Sequence, residues 1–395
     1  MNKALQFGAG NIGRGFLGQL YYESGYATTF VDVLDDVVEA LNERGEYPLR
    51  IVDEETRTLN IRNVSALHAG DVDAVANAIA EADIAATAVG VNVLPKVAPT
   101  IARGIEKRFA SESAPPLNFI VCENLIGAGP FLREKVQGHL EPAFHAALDQ
   151  KVGFVEASIG RMVPIMTEKE RAEDPLLVCV EVYCELPVDK EAFKGPIPAL
   201  KNLKPKADFG AYVERKLFVH NLSHATAAYL GYLRGHEYIW QAMDDEKVLA
   251  AMKAATNESC GGLARKWRLD RAELDAHAED LARRYRNKAL GDQVRRIAAD
   301  PVRKLGPKDR LIGAGHMCIE QGIAPEHIAF AAAAAIRYDH SADSAAERLQ
   351  IMRKHGGIEA VLREICNLEP TSKLAQLILE GDKRLQHEGW VEQDT

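Results

Sequence analysis

The 395-residue chain has no CxxC pair and no tight grouping of histidines with cysteines. Its six cysteines, Cys122, Cys179, Cys184, Cys260, Cys318 and Cys366, are scattered. That pattern argues against a zinc ribbon, and at this length a disulfide framework is not needed. No metal is expected. Gly235-His236-Glu237 resembles a zinc-enzyme motif only superficially, because the glycines that would follow it are missing; a surface turn after Leu233 is the better reading. The chain is also short of positive charge: 48 Lys and Arg stand against 57 Asp and Glu, a formal net charge of −9. Nucleic acid and anionic membranes need a basic footprint, so neither is an expected partner. No apolar run reaches the length of a membrane span, no basic-then-apolar leader opens the chain, and no solenoid repeat recurs. A cytoplasmic protein with no obligatory protein partner is the expectation. What the chain has is an ordinary folded composition, 47% hydrophobic and 27% charged, with enough length for two domains.

Short β-branched or aromatic runs at residues 4–7, 28–33, 84–89, 119–122 and 152–155 read as strands. Helical spacing falls between them, at 12–24, 34–44, 72–81, 94–109 and 131–148. Such alternation predicts parallel βαβ units and a doubly wound sheet. Residues 49–52 and 58–67 read as an inserted hairpin, and 176–187 as one further strand. Residues 194–210, rich in proline and lysine, read as the connection between domains. After Ala211 only helical patterns follow. The expected fold is α/β, a Rossmann-like doubly wound sheet in domain 1–195 followed by an all-helical substrate and catalytic domain in 196–395.

The first strand runs into Gly8-Ala9-Gly10-Asn11-Ile12-Gly13 and then a helix, which gives GxGxxG its meaning. Gly8 permits the tight turn, Gly10 lets backbone approach a pyrophosphate, and Gly13 lets helix and strand pack closely. The helix start offers free N–H groups to the phosphates. Asp32 stands 19 residues beyond Gly13 (32 − 13), where a carboxylate hydrogen-bonds the adenosine ribose and repels the extra phosphate of NADP. The expected cofactor is NAD. Thr87-Ala88-Val89-Gly90 closes another strand at the same sheet edge; it either flanks the cofactor or is an ordinary turn.

The segment from Glu214 to Ala225 is apolar and helical, yet carries Lys216, Asn221 and His224. On an α-helix Asn221 lies roughly 140° and His224 roughly 80° from Lys216, on one half of the helix, with His220 a less certain companion. A desolvated lysine near a hydride carrier suits proton transfer, and an asparagine amide suits a developing alkoxide. Satisfied structural hydrogen bonds are the bland account of any one of these residues; three together point to a site.

KLFVHNLSH, at 216–224, fits the K-x4-N-x2-H signature of the polyol-specific long-chain dehydrogenase family. FGAGNIGRGF, TAVG, VCENL and RKLGPKDR extend the likeness over nearly the whole chain. The chain thus resembles that family, and the resemblance implies roles. Lys216 would be the general acid/base, Asn124 and Asn221 would form an oxyanion hole, and His224 would orient the substrate oxygen. From the residues alone, Glu123-Asn124 reads equally well as a helix cap. One departure stands out: the family's V-D-R-[IM]-x-P segment is here Ile159-Gly160-Arg161-Met162-Val163-Pro164, with glycine for aspartate.

The resemblance implies metal-independent, NAD-linked interconversion of mannitol 1-phosphate and fructose 6-phosphate. A phosphate needs cations, and Arg303, Lys304, Lys308 and Arg310, with Arg215 as a second possibility, are the available set; the same residues also read as a solvated loop. Gly160 keeps open an unphosphorylated polyol or hexuronate as substrate. A non-catalytic NAD-binding protein is a third reading, opposed by the intact Lys216, Asn124, Asn221 and His224.

Overall fold

The computed structural model describes residues 1–53, 55–111, 113–164, 166 and 172–391. The chain divides into a unit Met1–Tyr212 and a unit Val213–Thr395.

The first unit is built on a six-stranded sheet in the order β5-β2-β1-β6-β7-β8. Its members are β1 (Asn2–Phe7), β2 (Tyr26–Asp32), β5 (Val64–His68), β6 (Ile84–Thr87), β7 (Leu117–Val121) and β8 (Val152–Glu156). All pairings are parallel. β6 and β7 are buried along their whole length, as strands covered on both faces must be, and they read accordingly as unbroken apolar runs. One face packs Leu5, Phe119 and Phe154 against Ile101, Ile105 and Leu132. The other packs Phe16, Leu20 and Tyr21 against Ile120 and Val155. Register places Phe7 opposite both Val31 and Thr87, and Val121 opposite both Thr87 and Glu156. Gly8, Asp32, Thr87 and Glu123 therefore gather at one carboxyl edge, beside the point where strand order reverses, which is where open α/β sheets bind ligands.

Several elements differ from the sequence reading. The hairpin is formed by β3 (Glu46–Ile51) and β4 (Arg57–Arg62), but it stops at Asn63, whose φ of 59° turns the chain. Val64–His68 then joins the central sheet beside β2. The single strand expected over 176–187 is two, β9 (Val178–Val180) beside β3 and β10 (Leu186–Asp189) beside β11 (Leu203–Lys206). Since β11 lies inside 194–210, that stretch is more than a connection. The helix expected over 131–148 is broken: Ala128–Gln137 ends at Gly138, and a short turn Pro142–Phe144 leads into His145–Lys151. Pro142 has no N–H to continue the helix and restricts the residue before it.

The second unit is helical, and its described residues contain only an isolated bridge, Tyr238 to Gln293. Its centre is the helix Glu326–Ile336, where Ala331–Ala335 are buried on every side. Small side chains let neighbours approach closely: a Cβ on Gly381 of helix Lys373–His387 would sit 3.0 Å from the Phe330 Cα. The helix that runs through Lys216 is covered by helices Glu246–Trp267 and Arg271–Tyr285. The fold is an α/β Rossmann-like sheet unit followed by an all-helical one.

Candidate active site

In the first unit Gly8 has φ +91°, and a Cβ there would come within 2.6 Å of the Ala88 oxygen. A Cβ on Gly13 would collide with the Gly8 carbonyl. A Cβ on Gly10 would meet nothing within 4 Å among the described residues, so the loop is open to them on that side. The N–H groups of Ala9 (2.7 Å), Val33 (2.8 Å) and Leu34 (3.1 Å) all donate to the Asp32 carboxylate. Asp32 is thus fixed against the glycine loop at the end of β2, and Ala9 helps to hold it. Asn11 and Ile12 open the following helix, whose first stretch, Gly13–Leu17, is a π turn rather than α-helix. Arg14, buried in that turn, donates to the carbonyls of Ala9 and Leu176, both at 2.5 Å. Burial lowers its pKa.

The loop after β6 is latched by Glu123, which the sequence offered only as part of a helix cap with Asn124. Thr87 Oγ1 donates to Glu123 Oε2 at 2.7 Å, and the Val89 N–H to Glu123 Oε1 at 2.9 Å. Burial pushes the Glu123 carboxyl up. Gly90, with φ +92°, ends the latch. Asn124 follows, exposed, at the carboxyl end of β7. It is not a helix cap: the next helix starts at Ala128 with Gly127 as its cap, and Glu156 Oε1 accepts from Gly127 N at 2.8 Å and Ala128 N at 3.2 Å. Arg161 is buried and inward. It donates to the Glu181 carbonyl through Nε (3.0 Å) and Nη2 (2.7 Å), and through Nη1 to Gly15 O (3.0 Å) and Gln19 Oε1 (2.7 Å). At Gly160 a Cβ would meet Tyr183 at 3.4 Å, ordinary contact, so the backbone does not demand glycine there.

In the second unit the helix Phe209–Arg215 opens into a π turn over Lys216–Asn221 before resuming as Leu222–Leu233. A π turn bonds residues five apart, so Asn221 comes above Lys216 instead of about 140° away, the α-helical figure. Side chains from other helices hold carbonyls of this turn. Ser259 Oγ donates to Phe218 O at 2.6 Å, and Tyr285 OH to His220 O at 2.9 Å; Ser223 Oγ also donates to His220 O, at 3.1 Å. Burial, with the Arg310 guanidinium nearby, lowers Lys216 to about 8. Burial likewise drives His220 well below its usual range, with Arg284 adding to the effect. His224 Nε2 lies 2.8 Å from Asp292 Oδ2, and its ring stacks on Tyr285 at 4.5 Å and 10°.

The cations of 303–310 separate in the structure. Arg310 is buried, donates to Asp309 Oδ1 at 2.8 Å and sits near Lys216. Lys304 is turned inward onto the Ala299 carbonyl, and burial, aided by Arg310 and Arg303, lowers it to about 7. Arg303 is exposed and paired with Asp300 at 3.0 Å and Asp309 at 3.4 Å; Lys308 is exposed. Arg215 sits by His277, which burial and Arg215 together push down to about 3. His236 follows a turn at Gly235 and contacts Asp245 at 3.1 Å. Asp292, Tyr285 and Ser259 gave no sequence signal, because each reaches the helix from a distant segment; Glu123 adjoins Asn124 and Arg161 adjoins Gly160, and both lay in quoted motifs.

Two family models match the chain, the mannitol dehydrogenase Rossmann domain over residues 2–202 and the mannitol dehydrogenase C-terminal domain over 208–381. A mannitol-1-phosphate 5-dehydrogenase of Brevibacillus brevis is 39% identical over 382 residues, covering 97% of this chain and 98% of its own. One from Bacillus pumilus is 39% identical over 383 residues, covering 97% and 100%. Among solved structures, the Pseudomonas fluorescens mannitol 2-dehydrogenase complex with NAD and D-mannitol is 18% identical with a TM-score of 0.73, covering 98% of this chain and 92% of its own. A substrate-free D-sorbitol dehydrogenase is 18% identical with a TM-score of 0.76, covering 98% and 93%. At that identity the two structures speak to the fold.

Proposed function

The chain belongs to the mannitol dehydrogenase family, and from that premise we propose that it interconverts mannitol 1-phosphate and fructose 6-phosphate with NAD as hydride carrier. The observation that carries the reaction type is Lys216, lowered to about 8 by burial on a π turn that stacks it with Asn221. The substrate is carried over from full-length relatives at 39% identity.

The glycine loop and Asp32 fit a dinucleotide: the loop is open at Gly10, and the carboxylate is already oriented by three N–H groups. Bound there, NAD would take the hydride from the alcohol carbon and return it to the ketone. The Asp32 charge favours two ribose hydroxyls over a phosphate. Thr87, Val89 and Gly90, latched by Glu123, would flank the cofactor. Lys216 takes the hydroxyl proton during oxidation and returns it during reduction. Asn221 would donate to the oxygen as charge develops, and the family resemblance gives Asn124 the same role, a contribution typically worth ~10²–10³-fold per donor. In this reading no metal polarises the carbonyl; activity lost in chelator and restored by zinc would overturn that.

Arg310 is the cation we assign to the phosphate, because it is the member of its cluster beside Lys216. Arg303, Lys308 and Arg215 supply further positive charge, while Lys304 is committed to the Ala299 carbonyl. A charge-assisted pair with a dianion should make the phosphorylated ketose strongly preferred. Gly160 supports the second reading, an unphosphorylated polyol or hexuronate, since the chain lacks the usual carboxylate there although an added Cβ would make only ordinary contact. Comparing kcat/KM for fructose 6-phosphate, fructose and fructuronate decides between them. Preference for either unphosphorylated sugar rejects the first, and no NADH oxidation with any of the three would favour a binding protein. We place the enzyme in the cytoplasm, with which its six free, buried thiols agree. No described helix is long and apolar enough to cross a membrane.

A further inference from the structure

We propose that Asp292 is a positioning residue that keeps the His224 proton on Nε2, leaving Nδ1 as an acceptor that reads a substrate hydroxyl and not the carbonyl oxygen. This rests on the dehydrogenase reading above. Asp292 Oδ2 lies 2.8 Å from His224 Nε2, and both side chains are nearly closed to solvent. An unshared pair on Nε2 would be repelled by the carboxylate at that separation, so Nε2 carries a proton, although its N–H is not aimed along the contact. The proton belongs to the ring, because Asp292 stays charged. Arg296 takes its other oxygen, Oδ1, in an ion pair. Burial pushes the Asp292 carboxyl up, but His224 and Arg296 outweigh it and hold it below the usual range. Among the described residues Nε2 has no aligned hydrogen-bond acceptor, so the nearby negative charge, and not bond direction, selects the tautomer.

Tyr285 fixes the plane of the ring. It stacks on His224 at 4.5 Å and 10°, and its own hydroxyl is anchored on His220 O at 2.9 Å and near Ser223 Oγ at 3.0 Å. Among the described residues nothing pairs with His224 Nδ1. A neutral imidazole has one donor and one acceptor. With the donor held on the nitrogen beside Asp292, the ring has no second N–H for a ketone oxygen, which is left to Lys216 and the asparagine amides. His224 instead accepts from a hydroxyl on a carbon next to the reacting one, and so becomes a specificity residue.

The test has two arms. In enzyme labelled with ¹⁵N-histidine, a long-range ¹H–¹⁵N spectrum reports the tautomer directly, with His224 assigned by the signal missing from His224→Ala. The expected result is a pyrrole-type Nε2 and a pyridine-type Nδ1, with Asp292→Asn shifting the proton towards Nδ1. A pyrrole-type Nδ1 in the unsubstituted enzyme overturns the proposal, and that measurement needs no folded Asp292 variant. In the second arm, kcat/KM is measured for fructose 6-phosphate and its 1-deoxy and 3-deoxy analogues. One missing hydroxyl should lower the value roughly 10–100-fold in the unsubstituted enzyme and leave it nearly unchanged in His224→Ala. Equal losses in both enzymes overturn the hydroxyl reading. Absence of any turnover of fructose 6-phosphate would defeat the function proposed above, while the spectrum still decides the tautomer.

Discussion

Replacing Lys216 by alanine should remove both the reaction and its pH dependence. An ordinary lysine near 10.5 is neutral in about one molecule in 3,000 at pH 7, whereas one lowered to about 8 is neutral in roughly one in ten. Burial on the π turn, with Arg310 nearby, thus raises the supply of free base about 300-fold. Oxidation needs the neutral amine, so its kcat should rise with pH and level off above about 8. Reduction needs the ammonium, so its kcat should fall across the same range. His220 stays neutral throughout that window, since its pKa is pushed well below the usual value. In Lys216→Ala the loss should be ~10²–10⁴-fold, the usual share of a general acid/base, and the limb near 8 should vanish while the NADH dissociation constant stays put. The assay is initial rates in both directions across a pH series, with NADH binding followed separately by fluorescence. A limb that survives in Lys216→Ala, or a limb near 10.5 in the unsubstituted enzyme, refutes the reasoning.

The depressed lysine also costs stability. Its folded pKa of about 8 lies below the unfolded value of 10.5, so the cost is fully present below about 8 and is relieved as pH climbs towards 10.5. Lys216→Met should therefore stabilise the fold at pH 7 by up to about 3 kcal/mol, and should give no gain near pH 11, measured by urea unfolding. Asn124→Ala and Asn221→Ala should each lower kcat by ~10²–10³-fold, and the double variant by less than the product; strict multiplicativity would mean they do not share one oxygen. Asp32→Ser should narrow the preference for NADH over NADPH, read as the ratio of dissociation constants. Gly13→Ala should abolish dinucleotide binding, because the added carbon collides with the Gly8 carbonyl; unchanged NADH affinity would count against the close approach.

The sheet was legible because its strands are buried on both faces and separated by helical spacing, so that composition and period agree, as in Ile84–Thr87 and Leu117–Val121. The edge pieces were not. Val64–His68 alternates buried and exposed positions just as a hairpin arm would, and only the left-handed Asn63 sends it to the other sheet. Lys216, Asn221 and His224 were visible as polar groups on an apolar helix, but their angular relation was misjudged. Hydrophobic spacing does not announce a π turn, whose carbonyls here are held by Ser259 and Tyr285 from elsewhere in the chain. Asp292 was illegible for the same reason: its meaning lies in the ring it faces. The cation cluster was read as a set, and burial splits it, turning Lys304 inward and leaving Arg303 to Asp300.

The π turn also sets how this helix tolerates change in length. A helix carrying one widened turn has one residue more than its α-helical counterpart needs. Deleting a single residue between Lys216 and Asn221 would let the backbone close into ordinary helix, with better i-to-i−4 bonding than it has now. Residues beyond the deletion would keep their phase, since the bulge absorbs the extra residue, and the change would fall inside the turn, where the side chains from Lys216 to Asn221 would be re-spaced about the axis. Drift towards shorter chains is thus opposed at this spot by the chemistry alone. The widened turn behaves as an insertion that selection for activity must keep renewing against the backbone's own preference.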